Sequence, residues 1–226
     1  MSNAAKATAS GAPAPKASTV RSAQPKPTRR ATQAAETRAH IVATAGWLFD
    51  ANGYVRTTIE SVAIEAGVAL QTVYNSVGNK AALLSAVLDA AAAGPGTRQV
   101  LELMQERTQS APDLESLTGV LADWFVEVNQ RTGRIVDVIS QAAAVDPEVA
   151  NLEERRALQR LERYNMAAAA ARERGGLTSG MTNGEAAAAI WSLGHPRTFQ
   201  ALVESSGWTV GAYRSWILRA LSAALA

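Results

Sequence analysis

Gln71 and Asn75 place two carboxamides four residues apart, about one helical turn, with the hydroxyl and methyl of Thr72 beside the first. A carboxamide donates and accepts hydrogen bonds at once, which matches the edge of an adenine in the DNA major groove, and a threonine adds a hydroxyl and a methyl. Leu70, just ahead of them, offers apolar contact alone, of the kind a thymine methyl takes. Thr57, Thr58, Tyr74 and Lys80 surround this set with donors and a cation near expected helix starts, which suits phosphate oxygens. Arg38 and Arg56 add charge nearby, though each reads equally well as an ordinary surface residue.

Such side chains act together only if rigid elements present them on one face. Thr57 reads as the N-cap of a short helix, with Glu60 three positions on closing a capping box, and Ile59, Val62, Ala63 and Ala66 share one side of it. Gly67 can take the left-handed conformation that turns the chain, and Val68 supplies an apolar contact after it. A second helix is predicted from Leu70 to about Val77. It is short and polar, yet Val73 and Val77 can anchor it at i, i+4. One side is then held by the protein and the other is free for a polar partner, as in a recognition helix.

From Ile41 to Leu84 the sequence resembles the DNA-binding domain of the TetR family of transcriptional regulators. The resemblance is carried by Ile41, Ala45, Leu48 and Phe49 of a first helix, Gly53 at its end, Thr57-Thr58, Ala66-Gly67-Val68 in the turn, Thr72-Val73-Tyr74, Asn79-Lys80 and Leu83-Leu84. An unrelated helical hairpin does not account for Thr72, Tyr74 and Lys80 together. Two departures stand out: Ala69 replaces the usual serine N-cap, and Ser76-Val77 replace an aromatic pair, so a valine must fill a space commonly held by phenylalanine. The resemblance implies an all-α protein, with an N-terminal three-helix helix-turn-helix domain followed by a larger helical ligand-binding and dimerisation domain. The expected division is a disordered basic tail at 1–34, the DNA-binding domain at 35–94 with its motif at about 58–77, and the effector domain at 95–226.

It also implies a homodimer, joined through its C-terminal helices, that binds a palindromic operator in double-stranded DNA and is released by an apolar or aromatic small molecule. Met104, Trp124, Gln141, Tyr164, Met166 and Trp191 fall on helices that would enclose the family's cavity, although each is more often plain core. The competing regulatory reading is a constitutive or activating DNA-binding protein without effector; a helical interaction protein is more distant. Enzymatic readings find little support. The chain has only His40 and His195, far apart, and no GxSxG, P-loop or GxGxxG, so neither a catalytic nor a metal site is expected and no cofactor is implied.

Composition agrees with the helical reading. Hydrophobic residues make up 47% of 226, enough to bury a real core, and no stretch alternates apolar and polar residues as a sheet would. The absence of cysteine excludes disulfide scaffolds and thiolate chemistry. No apolar run approaches the ~18 residues of a membrane helix, so no membrane is implied and the cytoplasm is the expected location. The net charge of +2 conceals an asymmetry: residues 1–35 carry six basic and no acidic side chains, leaving the remainder net negative. Such a tail reads either as a flexible cationic arm along DNA or as a solvated spacer.

Further along, Gly94-Pro95 should end a fourth helix, and Asp113, Asp146, Thr182 and Thr209 should cap later ones. Thr132-Gly133 is expected to bend or divide the helix at about 114–144. In the next helix, 147–174, the runs Glu153-Glu154-Arg155-Arg156 and Arg160-Leu161-Glu162-Arg163 read as a solvated face. Gly194-His195-Pro196 should break the penultimate helix.

Overall fold

Side-chain caps and chain-breaking residues divide the protein into helices that follow one another with short connections. The computed structural model describes residues 28–94 and 100–226, with side chains in the second span from 104 onward, and the described residues contain no strand. The helices are α1 (Arg29–Arg56), α2 (Ile59–Glu65), α3 (Leu70–Val77), α4 (Lys80–Ala93), α5 (Val100–Ser110), α6 (Leu114–Ala143), α7 (Pro147–Glu173), α8 (Asn183–Leu193), α9 (Pro196–Phe199) and α10 (Val210–Leu225), with a π-helical turn at Gln200–Ser205. Asp113, Asp146, Thr182 and Thr209 all accept backbone N–H bonds at helix starts, as their positions predict.

Several boundaries differ from the sequence reading. α1 begins at Arg29 with Thr28 as its cap, so residues 29–34, assigned above to a disordered tail, are helical; residues 1–27 lie outside the described residues. Thr132 and Gly133 do not divide α6, which runs unbroken for 30 residues while the Thr132 hydroxyl donates to the Val128 carbonyl. The expected break at Gly194-His195-Pro196 is present: α8 ends at Leu193, and the short α9 with its π-helical continuation begins at Pro196.

Two apolar cores organise the molecule. The first gathers Ile41, Ala45, Phe49, Val62, Val73, Leu83 and Leu84 from α1 to α4, and it also takes Ile135, Ile139 and Ala142 from α6 and Val149 from α7. The second joins Leu117, Leu121 and Phe125 of α6 to Ala168, Ile190, Phe199, Tyr213, Ile217 and Leu221. The core of α1 to α4 therefore does not end at residue 94; the C-terminal half of α6 completes it. Among the described residues no helix is long and apolar enough to cross a membrane.

The α8–α9 turn rests directly on α6. A Cβ built on Gly194 would lie 2.1 Å from Cε1 of the buried Phe125 ring, so only glycine fits there. Asn129 of α6 donates to the Gly194 carbonyl at 3.2 Å and fixes the same contact. Replacing Gly194 by Ala should cost about 1–3 kcal/mol through forced repacking, read as a lower urea midpoint with an unchanged slope.

Candidate nucleic-acid interface

Helix α3 is held from the protein side at both ends and by its apolar stripe. Thr58, not Thr57, caps α2: its hydroxyl accepts from Ser61 N–H at 3.0 Å, and the Ser61 hydroxyl accepts from Thr58 N–H at 3.0 Å. The capping box therefore lies one residue later than predicted and closes on Ser61 instead of Glu60. Gly67, with φ of +64°, turns the chain, and α3 begins after Ala69 without a side-chain cap, as expected from its alanine. Val73 and Val77 are buried in the first core, and the valine at 77 fills its site. From α1, Arg38 donates to the Ser76 carbonyl near the C-terminus of α3, and His40 Nε2 donates to the Ala66 carbonyl at 3.2 Å. A cation at a helix C-terminus also complements the helix dipole. Arg38 thus positions α3, a role its spacing in sequence does not reveal.

The outer side of α3 carries the polar set. Gln71 and Asn75 are exposed and bonded to each other, Nε2 to Oδ1 at 2.9 Å, with Thr72 half-buried beside them. Leu70 is 41% and Tyr74 46% exposed, so both are accessible on the outer side of α3. Thr58 stands exposed at the start of α2. Thr57 corrects the sequence reading: it is 1% exposed, and its hydroxyl bonds the carbonyls of Gly53 at 2.9 Å and Leu48 at 3.1 Å, so its side chain closes α1 and does not face a phosphate. Lys80 is drawn back over the Tyr54 ring, its ammonium 4.0 Å from the centroid, and burial lowers its pKa.

Behind this face, polar bonds tie the reader to the rest of the chain. Tyr54 donates to Asp146 Oδ2 at 2.6 Å, Asn79 Nδ2 to Glu148 Oε2 at 2.6 Å, and Arg131 to the Ala91 and Ala92 carbonyls that end α4. Arg156 reaches the Ser85 carbonyl, the Ser85 hydroxyl and Asp89. It was read as part of a solvated face; it pins α7 to α4.

The residues expected around an effector do not all converge. Tyr164 and Trp191 do, with ring centroids 6.1 Å apart, and Phe125 joins them at 5.7 Å from Tyr164. Met104 packs against the second core and Trp124 is buried within it. Met166 is 47% exposed, its sulfur accepting from Gln105 at 3.8 Å. Gln141 is exposed on the half of α6 that serves the DNA-binding core, which places it away from the other five. Arg160 and His195, by contrast, belong to the Tyr164–Trp191 cluster, and the sequence reading assigned neither of them to it.

A capped two-helix unit with an anchored, outwardly polar second helix, seated on a longer helical body, has the architecture of a helix-turn-helix regulator. Residues 41–87 match the family model described as bacterial regulatory proteins, tetR family. The fold extends the match along the chain. Native NalD, the secondary repressor of the MexAB-OprM multidrug efflux pump in Pseudomonas aeruginosa, superposes with a TM-score of 0.67 at 23% identity, covering 85% of this chain and 98% of that one. A SmeT–triclosan complex gives 0.66 at 23% identity over 84% and 91% of the two chains, and a putative TetR-family regulator from Syntrophomonas wolfei gives 0.69 at 19% over 84% and 95%. None of the curated proteins matches the chain in sequence. The chain carries the tetR-family DNA-binding domain and has the fold of a TetR-family transcriptional regulator.

The Tyr54–Asp146 bond gives this structure a pH signature. Hydrogen bonding from Tyr54 is the main cause that holds the Asp146 carboxyl below the usual carboxylate range. A depressed folded-state pKa contributes stability that is complete above the unfolded-state value and is lost as pH falls through the folded-state value. Tyr54→Phe should therefore lower the melting temperature at neutral pH and leave a shallower decline below about pH 4, the ordinary range of an aspartate. Melting curves of both proteins between neutral and acidic pH check this; parallel declines would contradict it.

Proposed function

We propose that the protein is a homodimeric repressor that reads a palindromic operator and is released from it by a small-molecule effector. The observation that carries the reading is the outer face of α3, where Leu70, Gln71, Thr72, Tyr74 and Asn75 cluster while Val73 and Val77 take the structural load. Gln71, Thr72 and Asn75 read base edges, and Leu70 supplies apolar contact. Thr58 and Tyr74 bond phosphates, joined by Lys80 when its ammonium leaves the Tyr54 ring. A helix of 8 residues reaches few base pairs, so two copies related by a two-fold axis supply the second half-site. Ala188 and Ser192 of α8 and Ser215, Arg219 and Ala223 of α10 lie exposed on the last long helices and form the face for the second copy. The repressor part is supported by the likeness to NalD, described as a secondary repressor, and the effector part by the likeness to a regulator solved with triclosan.

Sequence selection from randomised DNA should yield an inverted repeat. Gln71→Ala and Asn75→Ala should each relax one position per half-site at a cost of about 1–3 kcal/mol in discrimination. Unchanged base preferences in both variants, measured by anisotropy titration, would overturn the assignment. Residues 1–27 carry four basic side chains and no acidic one. Deleting them should weaken binding to all sequences alike and flatten the dependence of log affinity on log salt.

A further inference from the structure

The partly buried arginines of the helical body are nearly all satisfied by protein acceptors. Arg174 donates to the carbonyls of Thr108, Gln109, Ala111 and Ala170, Arg131 to two carbonyls, and Arg156 to three oxygens. Arg160 is the exception. Its guanidinium lies 4.5 Å above the Trp191 ring, and its Nε is buried without an acceptor. The ring interaction engages only the face of the guanidinium, whereas its five N–H donors lie in the plane and point past the ring. Glu153, seven residues back on α7, acts on it electrostatically but does not pair with it.

Apart from Glu153 on its own helix, the groups gathered around Arg160 are aromatic and donate. Phe125, Tyr164 and Trp191 form a continuous wall, and His195 meets Trp191 edge-on at 4.7 Å. The His195 Nδ1 accepts the Arg197 N–H, which leaves the proton on Nε2 as a further donor. Burial, followed by Arg160 and Arg197, lowers the His195 pKa, so the imidazole is neutral near pH 7 and Arg160 supplies the charge. Burial raises the Tyr164 pKa and keeps its phenol a donor as well. Asn129, 2% exposed and bonded to the Gly194 carbonyl of the same turn, holds the other buried orphaned side-chain atom, Oδ1. Unmet polar capacity therefore concentrates where α6, α7 and the α8–α9 turn meet.

We infer that Arg160 is the anion-binding centre of the effector site and that the effector is a small aromatic carboxylate, its ring against Trp191, Tyr164 and Phe125 and its carboxylate on the guanidinium fork. This deepens the effector reading above and rests on it. It also narrows the expected ligand from apolar or aromatic to aromatic and acidic. A guanidinium kept for a missing partner leaves its buried Nε unmatched in the free protein, with the Trp191 ring and Glu153 offsetting only part of the desolvation, whereas a structural one would be missed when removed.

The test uses the full-length protein and Arg160→Met and Arg160→Lys variants, with benzoate, salicylate and indole-3-acetate as probes and their uncharged amides as controls. Calorimetry and thermal shift should show the acids, not the amides, binding the wild type, with affinity lowered at least about tenfold in Arg160→Met, the loss of a charged hydrogen-bond partner, and partly restored in Arg160→Lys. Unliganded Arg160→Met should melt no lower than the wild type. Equal binding of acids and amides, acid binding unaffected by Arg160→Met, no binding by any acid, or a clear fall in the melting temperature of the free variant would each overturn the site. An operator titration separates the two readings. An acid held by Arg160 that leaves DNA affinity unchanged sinks the effector role and keeps the anion site, whereas release by neutral compounds alone keeps the repressor and sinks the anion site.

Discussion

Helix α6 belongs to both apolar cores, and the behaviour of the molecule depends on that sharing. Leu117, Leu121 and Phe125 lie in one core and Ile135, Ile139 and Ala142 in the other, along an unbroken 30-residue helix about 45 Å long. A packed helix resists bending over such a length, because close-packed neighbours leave it few intermediate arrangements. Under the proposed effector control, a displacement of Phe125 at one end would reach Ile139 at the other as a shift or rotation of the rod. The first core cannot ignore it, since α1 and α4 bury their inner faces against that end.

Polar contacts decide which parts of the reader feel the shift. Arg131 holds the C-terminal carbonyls of α4, Arg156 its middle, and Asp146 and Glu148 the ends of α1 and the start of α4. Several of these are exposed and individually weak, as the Arg134–Asp50 pair at 2.8 Å illustrates. Their joint effect is directional rather than stabilising: they make α4 and the base of α1 move with α6 and α7. Under the proposed effector control, a ligand among Phe125, Tyr164 and Trp191 would change DNA affinity only by preferring one placement of this frame over another.

Local features of the fold were legible in the sequence, and features that depend on partners were not. Asp113, Asp146, Thr182 and Thr209 announce their helices because a cap needs only its own next turn. The Thr57/Thr58 pair shows the limit of that logic. Either threonine can cap α2, and the choice falls to Thr58 because the Thr57 hydroxyl finds the Leu48 and Gly53 carbonyls of α1, bonds that no spacing rule displays. The same holds for the arginines of α7. A run of alternating charges reads as a solvated face, yet long side chains reach across a helix surface toward whatever lies beside it, and Arg156 and Arg160 find α4 and Trp191. The polar face of α3 was legible because its anchors, Val73 and Val77, lie within the same eight residues. The grouping of Tyr164 and Trp191 was legible only as composition, and their company with Phe125, Arg160 and His195 needed the fold.

The separation of duties along α3 bears on how such a chain diverges. Orientation is fixed by Val73, Val77, Arg38 and His40, none of which faces outward from α3, while Gln71 and Asn75 bond only each other. Residues with no structural task can drift without first losing the fold, so under the proposed role of α3 a duplicated copy of this chain is free to acquire a different target sequence by one or two substitutions. Paralogues could then part company in the genes they control while keeping the same scaffold, and the barrier between them would be set by cross-reading of each other's sites, not by folding.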